Sequence, residues 1–262
     1  MPSIRPPAVA GSFYSADPHL LAAEVDGYLA AGRDDGGAAP KAVVAPHAGY
    51  VYSGPVAGSA FRALAPRTGS IRRVVLLGPS HFVPLRGLAL PTAGAFRTPL
   101  GDVPLDRSAG AALAGLAQIE LANRPHAREH SLEVELPFLQ RLLGRFELVP
   151  LVVGDAEPEE VARALDRLWG GEETAIVVST DLSHYLDAAS ARRKDAATAA
   201  AVVELDATRI ADDDACGARP LRGLLVAARA RGLSARTLDL RNSGDTAGPA
   251  DRVVGYGAFA FA

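Results

Sequence analysis

Three short apolar runs, each closed by a turn that carries a histidine or an aspartate, constrain this chain more than any other feature. The first is Lys41-Ala-Val-Val-Ala-Pro-His47-Ala-Gly49-Tyr50. Ala42 to Ala45 reads as a buried strand, and Pro46 stops it because proline cannot donate to a sheet ladder. His47 follows at the strand's C-terminal end. Gly49 and Gly54 then let the backbone turn tightly. The second run is Val74-Val-Leu-Leu-Gly78-Pro79-Ser80-His81. The third is Ala175-Ile-Val-Val-Ser179-Thr180-Asp181-Leu182-Ser183-His184. Open α/β sheets place their sites at the carboxyl ends of strands. The pattern therefore predicts one site built from three strand ends.

The remaining segments alternate between helical and strand spacing. Asp17-Pro18 predicts a helix cap, with Leu20, Leu21, Val25, Tyr28 and Leu29 at helical intervals. Residues 33–40 read as a Gly/Asp linker. Gly54-Pro55 predicts the start of a small-residue helix running to Leu64, and Asp106 the cap of a helix reaching about Leu116. Ser131 is an expected N-cap, which would set Glu133 and Glu135 at the positive end of a helix dipole. Pro137 either kinks that helix or marks its start. A strand is expected over 146–153 and a helix from Glu157 to Gly170. Helices follow over 188–205 and 220–230, then strands over 235–240 and 253–259. No repeat of fixed period is present. The alternation predicts the α/β class: one three-layer α/β/α domain over 1–262 with a mixed central sheet.

Composition narrows the partners. With 262 residues the chain is long enough for a real core. A net charge of −3 and a pI of 6.1 give no basic footprint for nucleic acid and no polybasic run for anionic membranes. No apolar run is long enough to span a bilayer. The N-terminus carries no apolar signal-peptide core. The expected compartment is the cytoplasm. Cys216 is the single cysteine, so no internal disulfide can form. It reads either as a small buried hydrophobe or as a thiolate ligand or nucleophile.

His47, His81 and Cys216 are soft-to-borderline metal ligands, and Asp181, His184, Glu129 and His130 add carboxylates and imidazoles. No C-x-x-C or H-E-x-x-H tract is present, so position at strand ends, not spacing, makes the case. Glu129-His130 also admits a helix-capping reading. His19 and His126 sit in exposed-looking contexts and are assigned no role.

Several ordered motifs together resemble the Memo family, whose prokaryotic members are called AmmeMemoRadiSam system protein B. They are Pro7-Ala-Val-Ala-Gly-Ser-Phe-Tyr14, Ala45-Pro-His-Ala-Gly-Tyr50, Leu77-Gly-Pro-Ser-His81, Glu129-His-Ser131, Ser179-Thr-Asp-Leu-Ser-His-Tyr185, Cys216-Gly217, Asn242-Ser-Gly-Asp245 and Arg252-Val-Val-Gly-Tyr256. The resemblance implies a fold similar to the class III extradiol dioxygenases. It also implies one transition metal ion, iron(II) or copper, with His47, His81 and Cys216 matching the family's ligands. Asp181 and His184 match polar residues beside the metal, with His184 where the dioxygenases keep an acid/base histidine. Glu129, His130, Tyr50 and Ser80 are expected to support the ligands or to meet substrate. The family's name implies an association with a radical-SAM protein of the same system. One departure stands out. The dioxygenases hold iron with two histidines and a carboxylate, whereas the third ligand here matches Cys216.

Four functions compete at this point. The first is a dioxygenase-like metal-dependent oxidoreductase acting on a small molecule, with His184 moving the proton and Asp181 orienting it. The second is a non-catalytic protein that binds or delivers redox metal, which the thiolate favours. The third is a metal-free hydrolase using Cys216 or Ser80 with His184 and Asp181, but Gly78-Pro-Ser80-His-Phe82 is not a G-x-S-x-G elbow. The fourth is a binding module for an acidic ligand, using turn amides near Ser53 and Gly54.

Overall fold

A computed structural model describes residues 3–33 and 36–262. Asp34 and Asp35 of the expected linker lie outside the described residues. A nine-stranded mixed sheet runs through the chain. Its order is His184–Leu186, Val253–Phe261, Ala42–Ala45, Thr174–Ser179, Arg73–Pro79, Glu147–Val153, Leu88–Leu90 and Ile119–Leu121, with Ala235–Asn242 also paired to Val253–Phe261. The four strands Ala42–Ala45, Thr174–Ser179, Arg73–Pro79 and Glu147–Val153 are mutually parallel. Ile4–Arg5, Ala95–Thr98 and Gly101–Pro104 form a small second sheet.

The apolar runs bury both faces of these strands, and side chains alternate between two cores as strand geometry requires. Val44, Leu77 and Val178 face one core, packed by Leu165 of helix Pro158–Leu168, Val202 of helix Ala188–Val203 and Leu224 of helix Ala218–Ala230. Val43, Leu76 and Val177 face the other, packed by Val25 of helix Pro18–Ala31, Phe61 of helix Tyr50–Arg62 and Phe138 of helix Leu136–Leu143. Helices on both faces of a mixed sheet make the expected α/β/α layering.

Register explains why three distant segments meet. Ala45 pairs with Ser179, and Leu77 with Val178, so the three strands end level at one edge of the sheet. Thr174–Ser179 is the middle strand. Neighbouring strands lie about 4.8 Å apart, so the turn after it is flanked by the turns after its two neighbours.

Several boundaries differ from expectation. The second helix begins at Tyr50, with Pro55 inside it. Gly49 at its N-cap has no side chain to cap with, so the sequence carries no cap signal there and the proline was the misleading one. The helix after Asp106 is a single turn, Ala109–Ala112. Asp106 instead accepts from the Ser108 amide at 2.8 Å and pairs with Arg73. Ser131 is not a cap: a 3-10 turn, Glu133–Glu135, leads into Leu136–Leu143, and Pro137 marks that helix's first turn. The strands Ala95–Thr98, Ile119–Leu121 and His184–Leu186 had no expected counterpart.

Candidate metal centre

His47 leaves the Ala42–Ala45 strand and is 2 % exposed. Its Nδ1 lies 2.7 Å from Ser179 Oγ, and its Nε2 lies 3.3 Å from Cys216 Sγ. One ring nitrogen is therefore held by the neighbouring strand and the other faces the thiol. Burial first, then the His81, His130 and His184 rings, push its pKa well below the usual histidine range. The ring is neutral, the form that ligates a metal.

His81 is held by Glu129. The carboxylate accepts from the His81 amide at 2.7 Å, lies 2.8 Å from His81 Nδ1, and accepts from the Ser131 amide at 2.9 Å. Burial pushes the Glu129 carboxyl up, but the hydrogen bonds and charge of His81 and the Ser131 amide outweigh it and hold it at about 2. A carboxylate on Nδ1 leaves Nε2 of His81 as the free donor, the arrangement common around protein-bound metals. The His130 ring stacks on His81 at 4.7 Å between centroids. Phe13 and Phe82 meet the His130 edges at 4.9 and 5.8 Å.

Cys216 arrives from the turn before helix Ala218–Ala230. The Cys216 amide donates to the Asp181 carbonyl at 3.2 Å, and the Asp181 amide points at Sγ at 3.3 Å. The Gly217 amide donates to Thr180 Oγ1 at 2.7 Å. Burial and the Asp181 carboxylate push the thiol well above its usual pKa. One potential ligand atom from each of His47, His81 and Cys216 lies within 4.8 Å of the other two, so the three could hold one metal ion. His81, Glu129 and His130 form a second, overlapping group of that size.

The Asp181 carboxylate spans the turns. It accepts from the His47 amide at 2.8 Å and is also bonded by the Ala48 amide. Burial raises its pKa to about 6 against the pull of His184 and those amides. It does not grip the His184 ring. His184 opens a strand rather than a helical turn, and its Nδ1 lies 2.8 Å from the Leu182 carbonyl. A carbonyl only accepts, so Nδ1 carries a proton and, of the two ring nitrogens, Nε2 is the one left to exchange a proton.

Tyr50 and Ser80 use their hydroxyls on backbone carbonyls. Tyr50 is 1 % exposed, donates to the Val134 carbonyl at 2.6 Å and packs on Tyr14, Tyr28 and Phe138. It anchors the core behind the His47 turn. Ser80 donates to the Val83 carbonyl at 2.6 Å and shapes the turn beside His81. That turn, with Cys216 and Arg219, lines an open cleft of about 560 Å³. A small molecule can reach His81 and Cys216 from it.

The sequence reading missed three buried supports. Ser179 joins His47 to the Ser131 carbonyl and to Glu135. Glu133 accepts from Arg5, the Ala8 and Val9 amides and the Tyr14 hydroxyl, which straps the N-terminal segment beneath the Glu129 turn. Glu133 and Glu135 alternate with Leu132, Val134 and Leu136. Two carboxylates inside an apolar run are costly unless paired or protonated, and that was the available signal.

Comparison with known proteins identifies relatives along nearly the whole chain. The Memo-like protein family matches residues 5–260. A MEMO1 family protein of Methanopyrus kandleri is 37% identical, over 98% of this chain and 98% of its own. A MEMO1 family protein of Aquifex aeolicus is 35% identical, over 97% of each. Among solved structures, an uncharacterized protein of Escherichia coli K12 aligns with a TM-score of 0.48 and 14% identity, over 75% of this chain and 91% of that one.

Proposed function

This chain belongs to the Memo family, and from that premise we propose that it is a metal-dependent oxidoreductase of dioxygenase-like type acting on a small molecule. One iron(II) or copper ion would be held by His47, His81 and Cys216. The observation that carries this reading is the convergence of three donor atoms within 4.8 Å at the end of the sheet. The donor set fits such an ion. Ser179 and Glu129 occupy the Nδ1 atoms of the two histidines, so both Nε2 atoms remain as donors beside the thiol. A redox-active ion bound there supplies Lewis acidity and electron transfer.

The protein's own groups supply the rest. His184, with its tautomer set by the Leu182 carbonyl, presents Nε2 to take or return a proton. Asp181 fixes the His47 turn through two backbone amides. Phe82, 47 % exposed beside His81, gives the cleft an apolar wall. We place the activity in the cytoplasm. No helix among the described residues is long and apolar enough to cross a membrane.

A second reading is a protein that binds or delivers redox metal without turnover. The half-buried Cys216 favours it, since a thiolate in place of a carboxylate suits metal capture. The tests separate the two. Metal analysis of anaerobically purified protein should give one ion per chain, lost in His47→Ala, His81→Ala and Cys216→Ala; full occupancy in all three sinks the assignment. Oxygen uptake by iron(II)- and copper-loaded protein should then be screened on oxidisable small molecules, catechols included. His184→Ala should keep the ion and lose about 10²- to 10⁴-fold in turnover. No uptake above free metal would leave the binding reading.

A further inference from the structure

Glu135 is 0 % exposed. Its Oε1 lies 2.7 Å from Ser179 Oγ, and its Oε2 has no hydrogen-bond partner among the described residues. Ser179 Oγ has two other close neighbours, the Ser131 carbonyl at 2.6 Å and His47 Nδ1 at 2.7 Å. A serine hydroxyl owns one proton and can accept two. The Ser131 carbonyl can only accept, so the Ser179 proton must lie on that contact. The other two contacts then need protons from their far ends. His47 must carry its proton on Nδ1, and Glu135 must carry one on Oε1.

From this accounting we infer that Glu135 is a buried carboxylic acid whose proton lies on its Ser179 contact, which leaves Ser179 bonded to the Ser131 carbonyl and holding His47 with its Nε2 lone pair turned toward Cys216. It is a positioning residue for the centre. An ionised Glu135 would compete for the Ser179 proton, strip it from the Ser131 carbonyl and leave a charged oxygen bare in the core. Burial pushes its acid group well above the usual range, the Ser179 bond pulls it down, and the Asp181 carboxylate pushes it up again. The inference rests on the metal-centre reading only for what His47 serves, since the proton positions belong to the metal-free chain.

The test begins without metal. Infrared difference spectra of wild type against Glu135→Gln at pH 7.5 should show a protonated-carboxyl band lost in the variant. Ring ¹⁵N shifts of histidine-labelled protein should show His47 as the Nδ1–H tautomer in both, because the glutamine amide also donates to Ser179. Ser179→Ala removes the hydroxyl that accepts from both groups, and its His47 should become a mixture of tautomers. Cobalt(II) titration should then find Glu135→Gln close to wild type and Ser179→Ala about 10- to 100-fold weaker, the usual range for groups that hold a ligand from behind. A carboxylate band lost in Glu135→Gln, or an Nε2–H His47 in the wild type, overturns the inference. Failure of the wild type to bind cobalt overturns the metal reading instead, and the spectra still decide the proton positions.

Discussion

At the scale of single residues, the buried acids and one buried histidine show where sequence reasoning stops. His47, His81 and Cys216 were legible because each sits just past an apolar run or within a family motif. His126 was not, because Arg124-Pro125-His126-Ala127-Arg128 looks like a polar surface turn. Yet His126 is 1 % exposed, its Nε2 lies 3.0 Å from the Ala89 carbonyl, and its Nδ1 has no partner. Burial pushes its pKa down to about 4, the Ala89 bond opposes this, Arg5 adds to it and Glu129 opposes it. The unfolded chain takes up this proton near pH 6.5 and the folded chain only near pH 4. Between those values the unfolded state binds more protons, so stability falls as pH falls. From pH 7.5 to pH 5 this group should remove about 2 kcal/mol. Urea midpoints of wild type and His126→Gln at both pH values measure it, and the other histidines cancel in the difference. A wild type that loses no more stability than the variant would mean that His126 titrates normally.

At the scale of elements, strand existence was readable and strand partners were not. An apolar run announces burial, but nothing in Val74 to Leu77 says that Thr174–Ser179 will lie beside it. Register does the assembling, and one close approach completes it. A Cβ on Gly217 would come 2.7 Å from Thr180 Cβ and 2.8 Å from the Ser179 carbonyl. Gly217 therefore lets helix Ala218–Ala230 press its first turn against the end of the central strand, which is what sets Cys216 beside His47. Gly217→Ala must push that turn outward. The expected cost is about 1–3 kcal/mol, the usual range for overpacking, together with cobalt(II) binding weakened at least ten-fold, a magnitude seen when ligand supports are lost. Chemical denaturation and a cobalt titration read the two effects separately. Unchanged affinity would show that Cys216 does not need this contact to reach the centre.

At the scale of the whole molecule, the proposed ligands come from residues 47, 81 and 216, so no short segment could hold the ion alone. The set exists only when the parallel strands and the last long helix are all in place. The short strand that carries His184 escaped the sequence reading because three residues show no usable periodicity. An ion that binds only the folded chain must stabilise that chain by mass action. At a free metal concentration of one hundred times Kd the gain is about 2.7 kcal/mol. For a chain of this size each kcal/mol moves Tm by about 2–4 °C. Metal should therefore raise Tm by roughly 5–10 °C under those conditions. The rise should vanish in Cys216→Ala and in His47→Ala, because each keeps the sheet but removes a donor. Calorimetric scans with cobalt(II) or zinc(II), which avoid redox side reactions, make the comparison. A rise that survives both substitutions would place the ion elsewhere. Equal rises for wild type and for His184→Ala would show that His184 does not hold the ion, leaving its proposed role in proton movement to the turnover assay.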